Sequence, residues 1–185
     1  FSFHETKNFN AGEGGALLVN DPDLVDRAHT LQEKGTNRRD VLMGLRKKYS
    51  WVDVGSSYLL SDILAAVLLA QLESERLILG KRKKICDVYD AALARFAQAG
   101  AIKRINTGVM GQKLNYHAYW VTLSNAGDRD KFLDYLVANE VAAYIGYVPL
   151  HSSPMGQKLG YKPGDLPVTE SIASRVVRLP LYAGL

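Results

Sequence analysis

Three periodic segments after Gly100 constrain the fold of this chain more than any other feature of its sequence. Residues 117–123 alternate like a β-strand, residues 129–139 repeat apolar side chains at helical spacing, and residues 141–147 again resemble a strand. The inward face predicted for the helix comprises Phe132, Leu133, Leu136 and Val137. A strand, a helix and a strand in this order predict a layered α/β structure.

The end of the chain is rich in turn-forming residues. Residues 149–167 include four prolines and predict a long loop. A short helix is predicted near residues 170–177, and it leads to a strand-like end with the sequence RLPLY.

The first part of the chain predicts a strand followed by a helix. Gly15–Val19 is a short apolar run typical of a buried strand. Asp21 can cap a helix that begins at Pro22, and Gly35 can end it. Residues 36–50 are polar and basic, which predicts an exposed loop with a helical turn.

Two further helices are predicted before Gly100. Ser61 can cap the first, in which residues 63–72 are apolar on almost all sides, so we expect its first half to be buried on most sides. The helical spacing of apolar residues is interrupted near Gly80. A third helix, with apolar side chains at helical spacing over residues 85–96, then ends by Gly100.

The sequence pattern changes from helices before Gly100 to a strand, a helix and a strand after it. This change predicts a domain boundary within residues 73–100. Residues 1–80 are interpreted as the end of a larger α/β domain, and residues 81–185 as a smaller α/β domain.

The charge of the chain is mildly basic, with a formal net charge of +4. Lysine and arginine cluster at residues 38–39, 46–48 and 81–84. These clusters indicate either solvated helix ends and loops or a surface that binds phosphate-bearing ligands. Nucleic-acid binding is not favoured, because no aromatic–basic interleaving or DNA-binding motif accompanies the charge.

The single cysteine, Cys86, excludes an internal disulfide and gives no zinc site, so no metal is predicted. Its helical surroundings predict an inert core position, and this cysteine usage fits a reducing, cytoplasmic environment. No run of residues approaches the ~18 apolar residues that span a bilayer, so no membrane association is predicted.

One lysine, Lys7, lies in the polar stretch HETKN between an apolar start and a glycine-rich turn. A lysine nucleophile needs a fixed position and a free amine that can attack a carbonyl. Gly12, Gly14 and Gly15 carry no side chains, so the backbone can approach a bulky ligand closely. Ser2 offers a hydroxyl that could hold a phosphate, although these residues alone do not single out a cofactor.

Four segments resemble the DegT/DnrJ/EryC1/StrS family of sugar aminotransferases, in the family's order and nearly from end to end. They are FSFHETKN with GEGGALLVND, GSSYLLSDILAAVLLAQLE, YVPLHSSP and GYKPGDLPVTESIASRVVRLPLYAGL. The resemblance implies the type I fold of pyridoxal phosphate (PLP) enzymes, with residues 1–80 completing the large domain and its interface helix. The combination of HETKN, WVDVGSSYLLSD and YVPLH is most similar to transaminases of dTDP-4-keto-6-deoxyhexoses.

The resemblance assigns roles to five residues of this chain. It implies that Lys7 is the catalytic residue, which binds PLP covalently and later moves a proton on the substrate. Ser2 matches the residue whose hydroxyl binds the PLP phosphate. Ser57 stands where many relatives have an asparagine that reaches the PLP of a neighbouring subunit, and Tyr58 beside it is assigned to the substrate. His151 matches the histidine of the PLH segment and is assigned to a sugar hydroxyl or a diphosphate oxygen.

Two neighbours of the lysine, His4 and Thr6, are expected to shape its loop, and His117 is interpreted as structural. Relatives bind the ring of PLP with residues upstream of the lysine. The chain is therefore interpreted as the C-terminal portion of a longer enzyme, and we expect this portion alone to be inactive.

The function implied by the resemblance is transfer of an amino group, from L-glutamate, to the 4-keto carbon of a dTDP-6-deoxyhexose for a surface polysaccharide. The enzyme is expected to be a homodimer, since relatives complete each site from two subunits. Two alternatives stay open: a transaminase for another nucleotide ketosugar, such as a 3-keto or UDP-linked one, and a non-catalytic regulatory or interaction member of the family.

Overall fold

We describe the protein from a computed structural model, which covers residues 1–105 and 112–185, with the backbone alone for residues 104 and 105. The chain divides into two compact units, Phe1–Glu75 and Arg76–Leu185. The elements in chain order are α1 (Pro22–Gln32), α2 (Arg38–Leu42), α3 (Asp62–Glu73), α4 (Glu75–Gln98), β1 (Ile102–Ile105), β2 (Tyr119–Leu123), α5 (Ala126–Ala138), β3 (Tyr144–Ile145), a 3-10 turn (Leu150–Ser152), α6 (Pro154–Lys158), α7 (Pro167–Ala173) and β4 (Val176–Leu179).

The helix starts of the first unit follow the capping residues in the sequence. The Asp21 carboxylate accepts a hydrogen bond from the Asp23 N–H at 3.0 Å, and Pro22 occupies the first turn of α1. The Ser61 hydroxyl accepts from the Leu64 N–H at the start of α3. Both predicted caps are confirmed. They could be predicted from the sequence because a cap depends on only three or four consecutive residues.

The predicted buried strand at Gly15–Val19 is wrong. Gly15 pairs with Ser2 and the Ala16 N–H donates to the Phe1 carbonyl at 3.0 Å, whereas the side chains of Leu17 and Leu18 are 77% and 67% exposed. A strand needs a neighbour to accept its backbone hydrogen bonds, and in the described residues none runs beside 17–19. An apolar run therefore shows a preference for burial without showing what covers it.

The predicted burial of α3 on most sides is also wrong for this chain. Leu68 is its one buried residue, whereas the side chain of Ile63 is 78% exposed and that of Leu69 is 56% exposed. The described residues of the first unit cover only one side of this apolar helix.

The third predicted helix begins earlier than expected. α4 runs without interruption from Glu75 to Gln98 and includes Gly80, where we expected the pattern to reset. The break lies instead at Ser74, which ends α3. A glycine inside a helix costs about 1 kcal/mol relative to alanine, which a helix of this length tolerates.

The second unit contains a four-stranded antiparallel sheet in the order β1-β2-β4-β3. β2 and β4 are paired in register through Tyr119 with Leu179 and Val121 with Val177. Cys86 of α4 is buried against this sheet, which confirms its predicted core position. Partly buried residues of α4 and α5 complete the core: Ile85, Tyr89, Leu93, Phe132, Leu133 and Leu136.

The α/β fold class is confirmed, with corrections to several elements. β2 and β3 are not neighbours as their order suggested, because β4 lies between them. β1 was not predicted, β3 is shorter than predicted, α5 begins three residues earlier, and α7 ends before Val177. The side chain of Val137, predicted to face inwards, is exposed. The assignment of residues 1–80 and 81–185 to two domains stays a prediction.

A buried arginine supports the segment that leads into β2. The Arg82 guanidinium donates to the Tyr116 carbonyl at 2.8 Å and to the His117 carbonyl at 2.7 Å. Burial lowers the pKa of Arg82, and the neighbouring charge of Arg178 also lowers it. The backbone of His117 thus has a structural role, as expected. No helix within residues 1–105 and 112–185 has the length and apolar character needed to cross a membrane.

Candidate functional site

A short antiparallel hairpin at the start of the first unit carries Lys7 in its loop. The Phe3 N–H donates to the Gly14 carbonyl at 2.8 Å, and Ser2 faces Gly15 across the two limbs. The structure therefore places Ser2 and Lys7, two of the predicted cofactor-binding residues, in one local structure.

The loop of this hairpin presents Lys7 at the end of a tight turn. The Lys7 N–H donates to the His4 carbonyl at 2.9 Å, which closes the turn over four residues. The Thr6 N–H donates to Nδ1 of His4 at 3.2 Å, so His4 and Thr6 shape the loop as predicted. The Lys7 side chain is exposed, and its amine makes no hydrogen bond or ion pair with the residues that the structure describes.

Two glycines and Ser2 complete the hairpin, and they differ in how much space surrounds them. Gly12 has a positive φ of 73°, and a Cβ there would meet no atom within 4 Å. A Cβ at Gly15 would lie 2.9 Å from the Phe1 carbonyl oxygen, so the pairing of the limbs requires glycine or a local shift. The Ser2 hydroxyl is exposed and accepts only a long hydrogen bond, 3.4 Å, from the His4 N–H.

A glutamine of α3 holds the descending limb of the hairpin. The Gln71 side-chain amide donates to the Asn10 carbonyl at 2.7 Å, and its oxygen accepts from the Asn10 N–H at 3.1 Å. Both polar groups of one side chain are thus used on one backbone residue. This contact connects the lysine loop to the helix that the sequence analysis identified as an interface helix.

Ser57 and Tyr58 lie on a separate segment of the first unit. Ser57 pairs with Glu33, and the Tyr58 N–H donates to the Gln32 carbonyl at 3.1 Å, so this segment runs beside the end of α1. The Tyr58 ring is 70% exposed. The backbone hydrogen bonds of this segment therefore hold it to the end of α1, and its predicted contact with cofactor or substrate stays a prediction.

Two glycines allow the chain to pass closely beside this segment. Gly35 has a φ of 72°, and a Cβ there would lie 1.7 Å from the Asp53 carbonyl oxygen. A Cβ at Gly55 would lie 2.2 Å from the Gly35 nitrogen. Larger residues at either position would force the two backbones apart and displace the segment that begins at Ser56.

His151 belongs to the second unit and is only 6% exposed. Its Nε2 lies 2.7 Å from Oε1 of Glu170, and the Gly164 N–H donates to the same oxygen at 2.6 Å. These two hydrogen bonds, with that from His151 the stronger influence, lower the pKa of Glu170. The ring therefore bonds to a carboxylate of α7, and its predicted contact with a substrate stays a prediction.

One basic cluster lines an open cleft of about 650 Å³ in the first unit. Arg46, Lys47 and Lys48 contribute to it together with Asn37 and Asp40. Within residues 1–105 and 112–185, no group of three or more histidine, cysteine, aspartate or glutamate side chains has an arrangement that could hold a metal ion.

The sequence analysis missed two residues that hold candidate site residues, one in each unit. Gln71 carried a recognisable signal, because it is the one polar residue between Asp62 and Glu73 in an otherwise apolar helix. Glu170 carried none, since its contact with His151 joins positions 19 residues apart across a loop.

Comparison with protein families gives a match over residues 1–185 to the model described as the DegT/DnrJ/EryC1/StrS aminotransferase family. GDP-perosamine synthase of Escherichia coli O157:H7 is 28% identical over the whole of this chain, which covers 46% of that protein. A pleiotropic regulatory protein of Geobacillus stearothermophilus is 27% identical, again over the whole chain and 46% of the relative.

Among solved structures, DesV of S. venezuelae superposes with a TM-score of 0.85 at 29% identity, over the whole of this chain and 46% of that one. The chain thus spans about half the length of the relatives that it matches.

Proposed function

We propose a function from one premise: this chain belongs to the DegT/DnrJ/EryC1/StrS aminotransferase family. The whole protein is a PLP-dependent aminotransferase that places an amino group on the keto carbon of a nucleotide-linked sugar. The observation that carries this proposal is the exposed amine of Lys7, which has no partner among the described residues and is presented on a turn of a hairpin that also contains Ser2.

The residues of the hairpin fit PLP by their chemistry. Lys7 supplies the primary amine that the cofactor's aldehyde requires, and Ser2 supplies a hydroxyl that can donate to a phosphate oxygen. Gly12 leaves space beside the backbone. When bound, PLP supplies an electron sink that stabilises negative charge on the carbon next to the amino group.

Lys7 then has a second task, which is to move a proton. Once free, its Nζ would take a proton from the substrate carbon and pass it to the cofactor, or move it in the reverse direction. An amine can accept a proton only in its uncharged form.

The proposed substrate is a dTDP-4-keto-6-deoxyhexose, with L-glutamate as the amino donor and a homodimer as the active assembly. The resemblance of HETKN, WVDVGSSYLLSD and YVPLH supports this choice. The similarity to GDP-perosamine synthase supports nucleotide ketosugars more generally, so GDP-linked and UDP-linked sugars belong in the same test. Exposed Tyr58 is proposed to contact the substrate, with Ser57 reaching the cofactor of the other subunit. For His151 the same proposal requires the buried ring to become accessible in the whole protein.

The test compares Lys7→Ala with Lys81→Ala in the full-length protein. Lys81 is also exposed and lies in the second unit, so it controls for the loss of one surface charge. We expect Lys7→Ala to lower transamination of a ketosugar panel by more than about 10²-fold, because a positioned proton-transfer group contributes this much. Borohydride reduction followed by peptide mass spectrometry should find the cofactor on the Lys7 peptide of the unmodified protein. An undiminished rate in Lys7→Ala would refute the proposal.

A second candidate is a regulatory member of the family without catalysis, which the similarity to the pleiotropic regulatory protein supports. In that case the full-length protein would bind no PLP at Lys7, and none of the ketosugars would be aminated. The same experiment therefore separates the two candidates.

A further inference from the structure

The turn that presents Lys7 is held by an imidazole nitrogen. The Thr6 N–H lies 3.2 Å from Nδ1 of His4, and the Thr6 hydroxyl lies 3.0 Å from the same nitrogen. A backbone N–H can only donate, so Nδ1 must accept and cannot carry a proton. A neutral His4 must then carry its proton on Nε2.

The second ring nitrogen faces the other limb of the hairpin loop. Nε2 of His4 lies 3.5 Å from Oε1 of Glu13, which can accept the Nε2 proton. The two ring nitrogens thus have different partners, one inside the turn and one across the loop. The hydrogen bond from the Thr6 N–H to Nδ1 thus selects the Nε2–H tautomer of a neutral His4.

The bond from Thr6 to His4 has the form of an Asx turn. In such a turn an asparagine or aspartate oxygen accepts the N–H two residues further on. Here His4 Nδ1 takes the place of that oxygen, and the backbone bond from Lys7 to the His4 carbonyl closes the same turn. His4 therefore controls both ends of the segment that sets the direction of the Lys7 side chain.

We propose that His4, as the Nε2–H tautomer, is the positioning residue that fixes the Lys7 turn. The Nδ1–H tautomer would bring two donors face to face and abolish the bond from Thr6. The charged side chains around the ring are Glu13, which faces Nε2, and Glu5 and Lys7 of the same turn.

The inference rests on the proposed function only where it concerns catalysis, so the test also measures the turn itself. In the full-length protein, long-range ¹H–¹⁵N NMR of the imidazole reports which nitrogen carries the proton, and hydrogen exchange reports the protection of the Thr6 amide. We expect an Nε2–H signal for His4 and a protected Thr6 amide.

Two variants separate positioning from ring packing. His4→Asn keeps an acceptor for the Thr6 N–H, whereas His4→Phe keeps a ring and removes the acceptor. We expect His4→Asn to retain Thr6 protection. His4→Phe should lose this protection and lower the amination rate about tenfold, the effect expected when one hydrogen bond that orients a reacting group is lost. Glu5→Gln, on the same turn, is the matched control and should change neither measurement.

An Nδ1–H tautomer for His4, or full Thr6 protection in His4→Phe, would overturn the inference. If His4→Phe does not fold, the tautomer of the unmodified protein and the Thr6 protection of His4→Asn decide the question. If Lys7→Ala kept full activity while the tautomer and Thr6 protection were as expected, the proposed function would fail and the inference about the turn would stand.

Discussion

At the scale of single residues, the contact between His151 and Glu170 is the most informative feature of the second unit. A nearly buried imidazole and a backbone N–H share one carboxylate oxygen. A carboxylate that accepts two hydrogen bonds is favoured in its charged form, which is why the pKa of Glu170 is lowered. The pair joins the 3-10 turn to α7 and the Gly164 loop, so its ionisation is coupled to stability.

The first prediction concerns acid stability. Because the pKa of Glu170 is lower in the folded state, its contribution to stability is present above the unfolded value of about 4.3 and is lost as the pH falls through the folded value. We expect Glu170→Gln to reduce the loss of stability below about pH 4, and to lower stability at neutral pH.

This prediction is checked by urea unfolding between about pH 3 and pH 7. Glu75→Gln, at an exposed position, is the control and should follow the unmodified protein. Parallel pH curves for Glu170→Gln and the unmodified protein would show that this carboxylate does not couple to folding.

A second residue-scale prediction is that alanine destabilises the protein at Gly156 and stabilises it at Gly80. A Cβ at Gly156 would lie 2.1 Å from the Leu150 carbonyl oxygen, whereas a Cβ at Gly80 would meet nothing within 4 Å. Gly156→Ala should destabilise the protein by about 1–3 kcal/mol through a forced backbone shift. Gly80→Ala should stabilise it by about 0.5–1 kcal/mol, because it lies inside α4. Denaturant unfolding measures both, and equal effects at the two sites would contradict the close approach at Gly156.

At the scale of elements, α3 does more than contribute apolar surface, because Gln71 connects it to the lysine loop. The two hydrogen bonds to Asn10 resemble a pair of β-bridge bonds made by a side chain. A third bond, from the Gln71 amide to the Val67 carbonyl, fixes the side chain on the helix. The orientation of the hairpin's descending limb thus depends on one polar residue of an apolar helix.

The element-scale prediction is that Gln71→Leu destabilises the protein by about 1–3 kcal/mol, because a part-buried donor and acceptor of Asn10 lose their partners. Gln71→Glu should have an intermediate effect, since a carboxylate accepts from the Asn10 N–H but cannot donate to its carbonyl. Urea unfolding of the full-length protein measures both, with Gln98→Leu at an exposed helix end as the control. A loss no larger than that of the control would remove the proposed role of Gln71.

At the scale of the whole molecule, the exposed apolar face of α3 needs a partner surface. Ile63 and Val67, one helical turn apart on this face, are 78% and 49% exposed. Large apolar areas that face water promote association. The proposed homodimer would bury this face.

The whole-molecule prediction is that Ile63→Asp weakens self-association of the full-length protein, because a carboxylate would have to be buried in the interface. Sedimentation at several concentrations should show a shift towards monomer. Tyr135→Asp, at an exposed position of α5 in the second unit, serves as the control. An unchanged dimer in Ile63→Asp would place the interface elsewhere.

The sequence by itself determined the local features of this protein. The caps at Asp21 and Ser61, the α/β class and the four segments that identify the family depend on residues close together in the chain, so their chemistry is readable from the order of amino acids. The tautomer of His4 was beyond it, because that requires knowing which ring nitrogen faces the Thr6 N–H.

Only the tertiary structure decided which surfaces meet. Asn10 binds Gln71 across 61 positions, β4 enters the sheet between β2 and β3, and the apolar runs at Leu17 and Ile63 stay exposed. Hydrophobic pattern records the preference of each residue to leave water, but burial is a property of two surfaces together. The identity of the second surface is set by the path of the chain through space, and no single stretch of sequence contains it.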